Sequence, residues 1–489
     1  MRPIAITPLL LLSTTTFAQD RDNGHVQADV TSNEVVEARP GETGSGRFEP
    51  LLPADLAKYR PYPFPRTASN LSQRRDRAER FVSYDVRTGE ERTDTLEFDP
   101  FRTQNWISGR NVTEAEDEGD FLADFGSFTK QTSTAFPWSA QCRIYFEQDL
   151  EAPWGETEYY QASGTLIDGK NLITAGHCVH EGNGGSWSKN MIVIPRFDGD
   201  SNAFGYANGI ALAASAGWKS SRDWNDDMGW IRLDRPVGFL TDWFGSFYNT
   251  SDSWWDNTTF HVAGYPGEES PTFPDAPDAL YYSFGSWNSV YAYQVVSVFP
   301  STDTFAGMSG SGPYYKDSAG VRWVGGAFSH ENPVLWWWDR TATRNTQGKF
   351  NYFHDTFEKN GYSSTQVDYV PLKVRTTGTT IARGHTVGSL SYLVANSSLY
   401  NPASATVNVS VYLSANDNIT VSDTRIQQHS FTQNFGARTT RNVSVSGVTI
   451  PANTAPGTYY VGVIVTSSDA DASNNDTDGW DAQRVTITN

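Results

Sequence analysis

The chain has 489 residues, a length that predicts about three domains rather than one. Its 37 Lys and Arg residues against 56 Asp and Glu residues give a net charge of −19, and a surface of that sign repels phosphate backbones, so we expect no nucleic-acid partner. Aromatic residues are 13% of the chain, which is core material that a disordered chain lacks.

The chain begins with the features of a secretory signal peptide. Arg2 is followed by an apolar run from Ile4 to Leu12 and by small residues that end at Ala18. We therefore predict a signal peptide over 1–18 and a secreted protein, either extracellular or periplasmic. Nothing later in the sequence approaches the ~20 apolar residues of a membrane span, so we expect none.

Residues 19–130 are rich in charge, Pro, Gly and Asn and show little periodicity. We predict that this stretch is largely irregular and serves as the pro-segment of a zymogen. A solvated N-terminal extension without that role would have the same composition.

Residues 131–365 predict an all-β unit, because short apolar runs alternate there with Gly, Asn, Asp and Pro. A helix should close the unit, since Phe350, Phe353 and Phe357 share one helical face and Gly361 can cap its C-terminus. Residues 366–489 alternate with a period of two, as in Thr406 to Leu413, and predict an immunoglobulin-like β-sandwich.

One candidate general base is His177. A hairpin with its turn at Asp168-Gly169 leads into Thr174-Ala-Gly-His177, which would present the imidazole at a strand end. A histidine buried in the core would fit the same residues. Cys142 and Cys178 are the only cysteines, and in an oxidising compartment we expect them to form a disulfide.

The candidate nucleophile is Ser309, within Gly307-Met-Ser-Gly-Ser-Gly-Pro313. The glycines allow a sharp turn that exposes its Oγ and aims the amides of Gly307 and Ser309 at one point, as in an oxyanion hole. Ser311 is the second choice, and a turn without catalytic role is the plain alternative.

An acidic pair, Asp226-Asp227, enters an apolar strand between these two segments. Alternation favours Asp227 as the carboxylate that accepts the second ring N–H of a histidine and fixes its tautomer. An acidic pair in a solvated loop would look the same.

The order His177, Asp227, Ser309 is the chymotrypsin order of the catalytic triad. The stretches TLIDGKNLITAGHCV, DDMGWIRL and GMSGSGP resemble a trypsin-like serine peptidase of the bacterial branch that includes the glutamyl endopeptidases. The resemblance implies a double antiparallel β-barrel, His177 as base, Asp227 as its orienting group, Ser309 as nucleophile and the amides of Gly307 and Ser309 as oxyanion donors. It also implies an acyl-enzyme mechanism that needs neither cofactor nor metal.

The residues around the predicted specificity pocket indicate two conflicting substrate preferences. Asp303, six residues before Ser309, stands where trypsin-like enzymes have the pocket floor, which would favour basic substrates. Asp303-Thr304 also resembles the pocket run of the glutamyl endopeptidases, but Phe328 replaces their pocket histidine. His330, on the same strand face as Phe328, is the only substitute, and Glu331 beside it would repel an acidic side chain. Ser329 is assigned to the same pocket. We therefore expect a specificity that is not strictly for glutamate.

The C-terminal unit resembles the cell-adhesion-related bacterial domain in Val411 to Asp423, Ile450 to Tyr460 and Ser473-Asn-Asn475. This implies a targeting or spacing role toward a cell-surface or extracellular partner. The whole sequence predicts a secreted serine endopeptidase that acts on proteins or peptides. A catalytically silent binding protein on a peptidase scaffold, or an esterase with the same triad, remains the alternative.

Overall fold

A computed structural model gives the structure of residues 56–63, 65, 78–99, 101–109, 128–149, 156–199, 202–297, 305–334, 337–401, 406–432 and 436–489. The predicted signal peptide lies outside these residues. Among them, no helix is long and apolar enough to cross a membrane.

Five short strands precede the predicted catalytic unit. They are β1 Arg60–Pro61, β2 Glu79–Asp85, β3 Glu91–Leu96, β4 Gln104–Ile107 and β5 Thr129–Gln131. The prediction that residues 19–130 are largely irregular is therefore wrong for the part of that stretch that the structure describes.

Six strands close into a barrel. They are β6 Gln141–Asp149, β7 Thr157–Leu166, β8 Asn171–Thr174, β9 Lys189–Pro195, β10 Ala207–Ser215 and β11 Gly229–Leu233. β11 pairs with both β8 and β10, which completes the circuit through β7, β6 and β9. Alternate side chains from these strands, such as Ile144, Val193 and Leu212, fill the interior.

The N-terminal strands β2 and β3 pair with the barrel sheet and extend it. β9 covers only the first residues of β10, so the edge of β10 from Ala211 to Ser215 is open to another strand, and β2 pairs there. Phe81 of β2 is buried, and its ring stacks on Tyr352 at 4.4 Å between centroids. Burial of Phe81 thus stabilises the packing of the charged strand β2 against the barrel core.

A second β-unit follows the barrel. Its strands are β12 Gly245–Asn249, β13 Phe260–Gly264, β14 Leu280–Gly285, β15 Ser289–Val290, β16 Gln294–Ser297, β17 Tyr314–Lys316, β18 Arg322–Val324, β19 Gly326–Val334 and β20 Trp337–Arg344. One sheet runs β4-β12-β18-β17-β13-β14-β5 and the other β15-β16-β20-β19. An aromatic core that includes Phe247, Trp255 and Phe260 lies within this unit.

Helices are few and short. The α-helices are α1 Gly176–Val179, α2 Ala216–Ser221, α3 Gly238–Thr241, α4 Asp252–Asp256 and α5 Gln347–Tyr352. Single 3-10 turns lie at Leu56–Lys58, Trp138–Ala140, Trp224–Asp226, Lys359–Gly361, Ala472–Asn474 and Gly479–Asp481. A π-helical turn, Phe353–Phe357, continues α5, and the three phenylalanines that predicted this helix are all buried.

The C-terminal strands form two sheets around one aliphatic core. They are β21 Tyr369–Thr376, β22 Thr380–Ala382, β23 Ser389–Asn396, β24 Thr406–Ser414, β25 Thr424–Thr432, β26 Thr440–Ser446, β27 Gly457–Val465 and β28 Gln483–Thr488. The sheets run β21-β23-β26 and β22-β28-β27-β24-β25. The four apolar residues that alternate along β24 are buried between them, as the period of two predicts. The all-β fold class is confirmed.

Ion pairs between partly buried cations and buried carboxylates connect the sandwich to the preceding units. Arg235 donates from Nη2 to Asp481 Oδ1 at 2.7 Å, and Lys170 Nζ lies 3.8 Å from Asp368 Oδ2. Arg438 of the sandwich pairs with Glu358, which follows the π-helical turn. These partners are far apart in sequence, so folding of both units is needed to bring them together.

Candidate active site

His177 and Asp227 are held together by two hydrogen bonds. The backbone N–H of His177 donates to Asp227 Oδ1 at 2.8 Å, and its ring Nδ1 donates to Asp227 Oδ2 at 2.9 Å. The short helix α1 carries His177, and Gly176 before it leaves room, because a Cβ there would lie 3.0 Å from Asp227 Oδ1. The carboxylate therefore fixes both the position of the turn and the tautomer of the ring.

The electrostatics of this pair favour opposite charges. Burial alone would raise the pKa of Asp227, but His177 and its hydrogen bonds lower it. Burial alone would lower the pKa of His177, but the Asp227 carboxylate raises it to about 10. Asp226 lies elsewhere, 4.0 Å from Lys349 Nζ. The structure thus brings Asp227, the carboxylate that strand alternation favours, to the imidazole.

Ser329 supports the same carboxylate, a role that sequence reasoning missed. Its Oγ donates to Asp227 Oδ2 at 2.5 Å and lies 2.7 Å from His330 Nδ1. The sequence prediction had placed Ser329 in the substrate pocket. Only the packing of β19 against the end of the Asp227 turn reveals this contact, since the two residues are 102 positions apart.

The loop that carries Ser309, the candidate nucleophile, packs against the strand that leads to His177. Gly310 has a φ of +87°, and a Cβ there would lie 2.1 Å from Thr174 Oγ1. The carbonyl oxygen of Ser309 accepts from Ser163 N at 2.8 Å. Glycine is required at position 310 both by its backbone conformation and by this close approach.

Ser311 occupies a structural position. Its Oγ donates to the Met308 carbonyl at 2.8 Å, and a Cβ on Gly264 would lie 1.9 Å from that same Oγ. Ser311 is buried, and its hydroxyl is engaged in these contacts. Ser309, whose Oγ makes no hydrogen bond among the described residues, therefore remains the first candidate for the nucleophile.

A peptide carbonyl already faces the predicted oxyanion donor. Gly307, with a φ of +86°, donates its N–H to the carbonyl oxygen of Tyr62 at 3.1 Å. The Tyr62 ring lies against the His177 ring with 4.6 Å between centroids. Among the described residues, Ser309 Oγ and His177 Nε2 are buried and make no hydrogen bond, so the direct bond between them that a triad uses in catalysis is not formed in this state.

Two of the four predicted specificity residues, Ser329 and His330, lie in the part of the chain that the structure describes. Asp303 and Thr304 lie outside the described residues. The expectation that His330 shares a face with Phe328 is wrong, because the pairing of β19 with β20 shifts register between these two residues and interrupts the alternation. His330 is buried, and its ring packs against Trp224 at 4.6 Å.

Glu331 is paired rather than exposed to a substrate charge. Its Oε1 lies 3.2 Å from Arg340 Nη2, and both side chains are buried. The Arg340 guanidinium also lies 4.6 Å from the ring centroid of Phe305, four residues before Ser309. The repulsion that the sequence predicted between Glu331 and an acidic substrate is therefore largely compensated by Arg340.

The predicted disulfide is not formed. Cys142 and Cys178 are free and buried. The Sγ of Cys142, on β6, is directed to the Ala140 carbonyl at 3.8 Å, and Cys178 packs in the same core from α1. Hydrophobic packing, rather than a covalent tether, restrains the His177 turn in this structure, and burial raises the pKa of the Cys142 thiol.

Residues 126–283 match the family model described as Trypsin. The glutamyl endopeptidase of Bacillus licheniformis is 30% identical over 190 residues, covering 38% of this chain and 52% of the relative. The extracellular metalloprotease of Bacillus subtilis strain 168 is 26% identical over 190 residues, covering 38% of this chain and 54% of the relative. The chain thus spans about half the length of the curated relatives it matches.

Two solved structures are similar to part of the chain. A Glu endopeptidase in complex with MPD has a TM-score of 0.38 and 20% identity, covering 48% of this chain and 97% of that structure. The protease Anisep from Arthrobacter nicotinovorans has a TM-score of 0.37 and 18% identity, covering 46% of this chain and 97% of that structure.

Proposed function

We propose that this chain is a secreted serine endopeptidase with a trypsin-like domain of the branch that includes the glutamyl endopeptidases. The family-model match and the similarity to a glutamyl endopeptidase support this proposal. Its substrates would be proteins or peptides. We further propose that residues 131–365 form the catalytic domain and that residues 366–489 form a sandwich that contacts a cell-surface or extracellular partner.

In the proposed reaction, Ser309 Oγ attacks the carbonyl carbon of the scissile bond while His177 Nε2 takes the hydroxyl proton. Asp227 stabilises the imidazolium, and the amides of Gly307 and Ser309 stabilise the oxyanion. Collapse of the intermediate transfers the proton to the departing amine and leaves an acyl ester on Ser309. A water molecule then hydrolyses this ester by the same route and regenerates the serine.

The main support for the proposal is the position of the Tyr62 peptide carbonyl. Gly307 N–H, one of the two predicted oxyanion donors, is bonded to the Tyr62 carbonyl, and the same residue covers His177. A cleft that binds a peptide carbonyl at this amide, beside a histidine oriented by a buried carboxylate, supports acyl transfer from peptide bonds.

We propose that cleavage is not restricted to sites after glutamate. Arg340 lies over the ring of Phe305, four residues before Ser309, and its positive charge is compensated by Glu331, so this arginine attracts an acidic side chain only weakly. Peptides that differ only in the residue before the scissile bond test this point. A strict requirement for Glu would contradict it.

Active-site labelling and peptide hydrolysis test the proposed activity together. A fluorophosphonate should label the wild-type chain and the Ser311→Ala variant but not Ser309→Ala. Ser309→Ala and His177→Ala should each lower peptide hydrolysis by several orders of magnitude, and the double variant should be hardly worse, because the triad acts as one unit.

Other outcomes would favour other functions. Absence of labelling and of hydrolysis in every form of the chain would favour a catalytically silent binding protein. Hydrolysis of esters without any cleavage of peptides would favour an esterase. Loss of activity in Ser311→Ala with retention in Ser309→Ala would exchange the roles of the two serines.

A further inference from the structure

Lys58–Pro63 and Pro65 cross the candidate active site and are called the strap here; Lys58 ends a 3-10 turn, and Arg60–Pro61 form strand β1. Its strand β1 runs parallel to β7, with Arg60 opposite Tyr160 and Pro61 opposite Gln161. Tyr62 N continues this pairing by donating to the Gln161 carbonyl at 2.8 Å. The strap is therefore held by the barrel through main-chain hydrogen bonds, the mode by which a sheet edge binds a peptide.

The other side of the strap is held by the second β-unit. Gly307 N donates to the Tyr62 carbonyl at 3.1 Å, and Glu331 N donates to the Pro65 carbonyl at 2.7 Å. The strap thus bridges the cleft between the two units, with its central carbonyl at the predicted oxyanion donor.

The Tyr62 side chain covers the catalytic groups. Its ring is 4.6 Å from the His177 ring and 4.6 Å from the Tyr160 ring, between centroids. His177 is 1% exposed and Ser309 0% exposed. A substrate carbonyl cannot reach Ser309 while the strap occupies this position.

The N-terminal end of the strap has its own contacts. Arg60 Nη2 lies 2.6 Å from Glu158 Oε2, and the Lys58 ammonium lies 4.0 Å from the centroid of the Tyr159 ring. Tyr59 packs edge-on against Tyr145 at 5.2 Å. A cation, an aromatic ring and two prolines at fixed positions therefore describe the kind of peptide that fits this cleft.

The bond presented to Ser309 is a poor substrate. Attack at the Tyr62 carbonyl carbon would require the ring nitrogen of Pro63 to depart. That nitrogen carries no hydrogen, and its Cδ occupies the place where other residues have the N–H. Fixed φ angles at Pro61 and Pro63 also reduce the entropy that the segment loses when it binds.

We infer that the strap is a reversible inhibitor built into the chain, and that the cleft is a binding site for peptides of the pattern basic residue, Pro, Tyr, Pro. The inference rests on the proposed peptidase activity for its consequence, which is latency of the full chain. The binding itself depends only on the contacts above.

Fluorophosphonate labelling of the intact full chain tests latency. The Tyr62→Gly variant loses the ring that covers His177, so its labelling rate should exceed that of the wild type by about tenfold or more, in proportion to the open fraction. Tyr62→Phe keeps the ring and should label as slowly as the wild type. Tyr400→Ala, which changes a tyrosine that is 58% exposed in the sandwich, is the matched control.

Addition of the strap in trans tests the ligand class. A synthetic peptide of residues 58–65 should slow the labelling of Tyr62→Gly and remain intact by mass spectrometry, whereas the same peptide with alanine in place of Tyr62 should not slow it. Should Tyr62→Gly fail to fold, Arg60→Glu replaces it, because this exposed substitution sets a carboxylate against Glu158 and should also speed labelling.

The outcomes separate the inference from the proposed function. Equal labelling rates for wild type and Tyr62→Gly would overturn the strap as an inhibitor and leave the peptidase proposal intact. If no form labels, the peptidase proposal fails, and binding of fluorescent 58–65 peptide to Tyr62→Gly still decides the inference. Absence of saturable binding, or cleavage of the peptide after Tyr62, would overturn it.

Discussion

Replacement of Arg438 by methionine should lower the free energy of unfolding by about 3 kcal/mol. The guanidinium pairs with Glu358 and lies 4.0 Å from Asp168 Oδ2, and both carboxylates are buried. Removal of one partner of a buried pair costs about 3–5 kcal/mol, because the remaining charge stays buried. We take the lower end because 25% of the Arg438 side chain is exposed to solvent.

The loss should depend on pH. Burial raises the pKa of Asp168 to about 6, although Arg438 opposes this, and the same arginine holds the pKa of Glu358 well below its usual range against the effect of burial. Without Arg438 both pKa values rise. A carboxyl whose pKa is higher in the folded state keeps a proton that the unfolded chain has lost, so stability falls as the pH rises through that window. The destabilisation should therefore be larger at pH 8 than at pH 5.

Guanidinium denaturation followed by tryptophan fluorescence measures the effect. Arg425→Met is the control, because Arg425 is an exposed arginine on β25 of the same sandwich. Adding Glu358→Gln to Arg438→Met should recover part of the loss, since it removes a buried charge. A difference of less than about 0.5 kcal/mol between Arg438→Met and Arg425→Met would refute the reasoning.

The same contacts bear on removal of the sandwich. A chain that ends near Ser364 would lose Arg438 and also Asp368 and Asp481, which pair with Lys170 and Arg235. We expect this shorter chain to be less stable than the full chain and to regain stability when Glu358 is replaced by glutamine. Equal denaturation midpoints for the two β-units before residue 365 in both chains would contradict this expectation.

Three further predictions concern the site and its surroundings. Ser329→Ala should lower kcat by about tenfold with little change in KM and shift the acidic limb of the pH profile, because it removes a hydrogen bond to Asp227, whereas Ser329→Thr should restore both. Glu331→Gln should raise the ratio of cleavage after Glu to cleavage after Gln, because Arg340 loses its counter-charge. An unchanged ratio would show that the Glu331–Arg340 pair does not influence the specificity. Burial, with repulsion from nearby cations, lowers the pKa of His180 to about 4. As the pH drops from about 6.5 to 4, the unfolded chain therefore binds a proton at His180 that the folded chain does not, and the free energy of unfolding should fall. A His180→Asn variant should show a shallower fall.

The elements with local signals were predictable from the amino-acid sequence. Glycines around Ser309, the turn before His177 and the acidic pair at Asp227 depend on residues within a few positions, and so does the period of two along β24. Their chain order indicated a resemblance to trypsin-like peptidases, and the phenylalanines after residue 347 predicted the helix that follows the second β-unit.

Contacts between residues that are distant in sequence required the folded structure. Ser329 reaches Asp227 across 102 positions, and a register shift between Phe328 and His330 reverses an alternation that the sequence alone implies. The composition of residues 19–130 predicts a polar segment, yet the strap within it fits the cleft because β7 and Gly307 offer main-chain partners that exist only after both β-units fold. Backbone hydrogen bonds do not depend on the identity of the side chains, because nearly every residue has the same N–H and C=O groups. Contacts between distant segments depend on how the strands pack. Composition and spacing therefore could not predict either kind of contact.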